Sequence, residues 1–80
     1  MKYRLGSVTI EAIDTYVRVT CDGFPGKPRI AVTRRECPTA TEVAQLVADI
    51  RGCWPDKSVL QACGRAATDA AENRTVLELP

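Results

Sequence analysis

Four cysteines (Cys21, Cys37, Cys53 and Cys63) and ten carboxylates are the side chains of this 80-residue sequence best suited to nucleophilic, metal-binding or proton-transfer chemistry. Histidine is absent. That removes Ser/His/Asp and Cys/His relays. It also leaves a structural zinc site only the four thiolates, each from a separate segment and none in a Cys-x-x-Cys pair. The thiols do not read as a disulfide framework either, because no secretion signal precedes them. Cys37 has the best route to activation, since it follows Arg34-Arg35 and precedes a helix start. Its simpler role is that of a loop thiol. Cys21 and Cys63 fall on apolar faces and read as small core residues, while Cys53 lies near an element end. Ser7 and Ser58 sit outside any nucleophile elbow. The carboxylates are scattered without paired spacing. Gly23-Phe24-Pro25-Gly26-Lys27 lacks the spacing of a phosphate-binding loop. The expectation is a protein that is not an enzyme and carries no cofactor and no metal.

Recognition is the chemistry that remains. Lys27, Arg29, Arg34 and Arg35 place four positive charges within nine residues, with Glu36 the first acid after them. Such an edge can neutralise phosphates, and Arg18 would extend it. Against this stand a net charge of +1 and one candidate outward aromatic, Tyr16, where a base-stacking sheet usually offers two or three. A basic edge also discourages strand-to-strand aggregation. Phe24 and Trp54 are large aromatics in loops, and aromatics and arginines dominate interface hot spots. Trp54 continues the stripe of the first helix, so its expected place is the helix–helix corner of the core. Phe24 is either a buried loop anchor or an exposed contact.

The sequence therefore predicts a small binding module that engages a protein partner or a second copy of itself in a homodimer. Phe24, Lys27, Arg29, Arg34, Arg35 and Trp54 are the expected contacts. The alternative is a nucleic-acid-binding accessory protein using the basic edge 27–35. A compact Arg- and Ala-rich chain without catalytic equipment is the kind of product that phages and plasmids encode to bind a host protein.

The elements that must position these residues follow from hydrophobic period. Residues 2–22 alternate apolar and polar, as strands with one buried face do. The apolar set moves from odd to even positions at Gly6-Ser7, which predicts a bulge within one long strand. Ile13-Asp14-Thr15 makes a hairpin turn. Asp22–Pro28 is a loop rich in Gly and Pro. Arg29–Thr33 is a third strand with Ile30 and Val32 inward, and Pro38 ends pairing.

Thr39-Ala40-Thr41-Glu42 fits a capping box. Val43, Leu46, Val47, Ile50 and Trp54 then recur at helical spacing, which predicts a helix over 39–51 closed by Gly52. After Trp54-Pro55, Asp56 caps a second helix over 57–72. Its stripe is Val59, Leu60, Cys63, Ala66, Ala67, Ala70 and Ala71, and Asn73 ends it. Residues 75–79 read as a last strand.

The expected fold is a two-layer α+β domain spanning residues 1–80. Its antiparallel sheet of about four strands follows the order β-β-β-α-α-β, with both helices on one face. The absence of a long apolar run or leader-like start predicts a cytoplasmic protein away from membranes.

Overall fold

In the computed structural model, which describes residues 1–23 and 25–78, four strands precede two helices. The strands are β1 (Lys2–Leu5), β2 (Val8–Ile13), β3 (Tyr16–Cys21) and β4 (Arg29–Val32). The helices are α1 (Ala40–Arg51) and α2 (Lys57–Glu78). The sheet runs β1-β2-β3-β4 with every neighbouring pair antiparallel. The two-layer α+β class is thus as expected, whereas the order is β-β-β-β-α-α.

Two corrections produce that order. At Gly6-Ser7 the chain turns instead of bulging. Leu5 lies opposite Val8, so a two-residue hairpin carries the inward set from odd to even positions. Gly6 has φ +62°, the positive value that primed hairpin turns need at their first central position. The expected last strand is the second correction: α2 runs through Asn73 to Glu78. Residue 79, the end of that expected strand, lies outside the described residues. Asn73 does not stop the helix. Its amide donates to the Asp14 carbonyl at 2.6 Å. Thr75 donates its hydroxyl to the Ala71 carbonyl at 3.3 Å, one turn back along the helix. Each added helical residue also gains a backbone bond without a new nucleus.

The core lies between the sheet and the helices. Val8, Ile10, Val17, Val19 and Cys21 meet Val43, Ala44 and Val47 of α1 and Val59, Ala62, Cys63, Ala66, Ala67 and Ala70 of α2. Small side chains dominate the α2 contribution, so backbone must come close to backbone for area to be buried. The α2 residues buried at 59, 62, 63, 66, 67 and 70 follow helical spacing. From residue 71 to 76 none is buried, so this stretch runs on beyond the core contacts.

The capping box at the start of α1 forms as expected. The Glu42 backbone N–H donates to the Thr39 hydroxyl at 3.1 Å, and the Thr39 N–H donates to the Glu42 carboxylate at 3.4 Å. Gly52 ends α1 in the left-handed conformation, φ 82°. Asp56 caps α2 by accepting from the Val59 N–H at 3.0 Å.

Candidate protein-binding edge

The sheet has one covered face and one open face. β3 and β4 are joined by the seven-residue loop Asp22–Pro28, and an odd loop preserves parity. Cys21 therefore lies opposite Arg29, Val19 opposite Ala31, and Thr20 opposite Ile30. The odd residues of β4 share the core side with Val19 and Cys21. The even ones share the open side with Arg18 and Thr20.

This register corrects the expected placement of Ile30 and Val32, which are 62% and 48% exposed. Polar residues on the core side hold the register. The Thr33 N–H donates to the Val17 carbonyl at 2.9 Å, and the Thr33 hydroxyl accepts from the Val17 N–H at 3.1 Å. Arg29 reaches the Ile50 carbonyl at 3.0 Å, near the C-terminus of α1.

The four cations expected to form one basic edge are divided by the fold. Arg29 is tied to the last turn of α1 through Ile50. Arg35 is tied to its first turn, its Nε donating to Glu42 at 3.1 Å and a second guanidinium nitrogen pairing with the same carboxylate. The Arg35 guanidinium and the Thr39 groups hold the Glu42 carboxyl below the usual range. Lys27 and Arg34 are exposed and form no salt bridge among the described residues. Two of the four cations thus hold α1 against the edge of the sheet.

Phe24 lies outside the described residues. Trp54 does not close the helix–helix corner. It stands 54% exposed in the link between α1 and α2, and the neighbouring Pro55 is buried instead.

On the open face, Glu11 accepts from the Arg18 Nε at 3.1 Å and lies 4.0 Å from the Lys2 ammonium. Ile13 pairs across β2–β3 with Tyr16. At the free edge, Ile30 and Val32 are the exposed apolar side chains of β4. Beside them runs a groove of about 320 Å³ between β4 and α1, lined by Val32, Arg34, Glu42, Leu46 and Asp49 among others.

The sequence signals that point to this edge are the odd loop length and the bonding capacity of Thr33. Both are weak beside the hydrophobicity of Ile30 and Val32, which argues for burial.

The thiols are dispersed. Cys21 and Cys63 are in the core, Cys37 is half-buried and Cys53 is exposed. Burial raises the Cys21 thiol above its ordinary range and pushes Cys63 up to about 11. The Cys37 sulfur lies 3.8 Å from the Ala70 carbonyl, and its backbone N–H donates to the Thr15 carbonyl at 2.7 Å. Among the described residues, no three His, Cys, Asp or Glu side chains gather in a way that could hold a metal ion, and no helix is long and apolar enough to cross a membrane. In comparisons with protein-family models, curated proteins and solved structures, the chain matches none.

Proposed function

We propose that this chain is a small non-enzymatic binding module that engages a protein partner through the β4 edge of its sheet. The carrying observation is that β4 is an edge strand presenting Ile30 and Val32 to the outside. An edge strand with exposed apolar side chains is a template for strand addition. The backbone supplies affinity and the side chains supply selectivity. Arg34 adds a charged rim. Trp54 offers a second, separate aromatic contact.

Affinity capture from a cell lysate tests the reading, comparing the tagged wild type with Ile30→Lys/Val32→Lys. The wild type is expected to retain a specific protein, copies of the chain itself included, and the double variant to lose it. Equal recovery by wild type, variant and blank resin would sink the reading. Arg35→Glu is a poor probe, because it also breaks the contact with Glu42.

The nucleic-acid alternative, through the basic edge 27–35, is supported by one observation: Lys27 and Arg34 are exposed there and form no salt bridge among the described residues. A salt titration of DNA and RNA binding separates the two. Phosphate-driven binding weakens steeply with salt, whereas no binding at low salt excludes it.

A further inference from the structure

We propose that the groove between β1 and α2 binds a small phosphate monoester whose body carries hydroxyl groups, as a sugar phosphate or a nucleoside monophosphate does. This groove lies at the edge of the sheet opposite β4 and is separate from the protein contact proposed there.

Two adjoining cavities make the groove. One, of about 430 Å³, is lined by Lys2–Leu5 of β1 and by Ser58, Gln61 and Arg65 of α2 among others. The other, of about 600 Å³, continues along α2 to Thr68 and Asp69. Tyr3, Gln61 and Arg65 line both. Each volume is in the range of small-molecule sites. Positions 58, 61, 65 and 68 share one side of a helix, so a single polar stripe of α2 flanks the groove along its length.

The first cavity is rich in donors. Lys2, Arg4 and Arg65 bring three cations to it, and no carboxylate lines it. Arg4 and Arg65 form no salt bridge among the described residues, and Lys2 stands 4.0 Å from Glu11. Residues of both parities in β1 line this cavity, so it runs along the strand edge and not over one face of the sheet. The Asp22 N–H bonds the Ser7 carbonyl, which assigns the odd residues of β2 to β3 and the even ones to β1. Tyr3 and Leu5 therefore bond to Ile10 and Val8, and Arg4 directs its N–H outward along the groove. Two guanidinium groups, an ammonium, a backbone N–H and the Ser58 hydroxyl match the charge and the several acceptor oxygens of a phosphate monoester. A carboxylate has one charge and two oxygens and leaves more of these donors unused.

The second cavity is built for hydroxyls. Asp69 accepts from the Tyr3 hydroxyl at 2.7 Å and lies 3.7 Å from the Met1 ammonium, both through Oδ2. Its Oδ1 has no partner among the described residues, although the side chain is only 20% exposed. Arg65 precedes Asp69 by four residues yet makes no salt bridge with it, in keeping with the less favourable order of charges for a helical pair. Cation and acid thus remain available to a ligand on either side of Arg65. The carboxylate repels a phosphate and accepts from a hydroxyl, which orients the ligand along the groove.

Amide NMR titration of the full chain with ribose phosphate, inorganic phosphate and ribose provides the test. Ribose phosphate is expected to shift residues 2–5 and 58–69, inorganic phosphate to bind more weakly, and ribose not to bind. Arg4→Gln/Arg65→Gln should weaken ribose phosphate at least about tenfold, the loss of one charge-assisted hydrogen bond or more, while circular dichroism stays that of the folded chain. Lys27→Gln/Arg34→Gln removes as many charges at the other edge and should leave binding unchanged. Equal losses from the two pairs would show attraction by charge alone and overturn the site. Asp69→Asn should narrow the preference for ribose phosphate over inorganic phosphate, and an unchanged preference overturns the two-part groove. Adenosine monophosphate binding more tightly than ribose phosphate identifies a nucleotide ligand, and equal binding identifies a sugar phosphate. No shifts with any probe at millimolar concentration, or shifts confined to residues 27–35, overturn the proposal and leave the β4 reading standing.

Discussion

Arg35 and Glu42 pair across the junction of β4 and α1, and the same Glu42 carboxylate closes the capping box with Thr39. One acid thus joins the strand edge to the helix start and stabilises that start. The guanidinium and the Thr39 donors lower the pKa of Glu42. A carboxyl whose folded value lies below its unfolded one contributes stability that is present above the unfolded value and lost as pH falls through the folded one.

Glu42→Gln should therefore lower the melting temperature at pH 7, and the gap from the wild type should close in acid below the ordinary carboxylate range. Arg35→Met should show the same pH dependence in reduced form, because the Thr39 donors remain. Thermal melts from pH 2 to 7 measure this. A gap that persists unchanged at pH 2 would show that the charge of Glu42 is not its contribution.

Two glycines should respond to alanine in opposite directions. Gly64 lies inside α2, and a Cβ built there meets the Ala40 Cβ at 3.9 Å, an ordinary contact. Gly64→Ala is expected to stabilise by about 0.5–1 kcal/mol. Gly6 has open space around it but φ +62°. Gly6→Ala is expected to destabilise by about 1–2 kcal/mol through backbone strain. Urea denaturation midpoints check both signs.

Core thiols should resist alkylation. At pH 8 a thiol with its pKa near 11, as at Cys63, is ionised in about one molecule per thousand, and it is also buried. Iodoacetamide should modify exposed Cys53 first and reach Cys21 and Cys63 only as the chain unfolds. Mass mapping of a time course shows the order. Cys63 reacting as fast as Cys53 would contradict the packing of α2 on the sheet.

The final turns of α2 should be dispensable for folding. No residue from 71 to 76 is buried, whereas Ala66 and Ala70 are fully so. Ending the chain after Asn73 is expected to change the urea midpoint by less than about 0.5 kcal/mol equivalent. Ala66→Leu should cost about 1–3 kcal/mol by overfilling a fully buried site in the core. A truncated chain that fails to fold would point back to a terminal strand.

Local chemistry made much of this fold legible in the sequence. Thr39 and Glu42 announce the start of α1, because a capping box needs only neighbours three residues apart. Gly52 marks its end, and the alternation in residues 2–22 marks strands with one buried face. The small residues of α2 appear in the correct stripe. The misreadings all occur where a long-range partner decides. Parity alone cannot separate a bulge from a hairpin at Gly6-Ser7, since both shift the apolar set. Thr75–Leu77 suits a strand locally, yet α2 runs on through it to Glu78.

At the binding edge the residue types were legible and their directions were not. The sequence by itself determined that no imidazole is available, that cations gather in residues 27–35, and that two helices must cover one face of a sheet. Only the tertiary structure decided that Arg29 and Arg35 turn inward to α1 while Ile30 and Val32 turn outward. That choice depends on the register of β4 against β3, which the bonds between Thr33 and Val17 set. A one-residue slip would exchange every one of those faces.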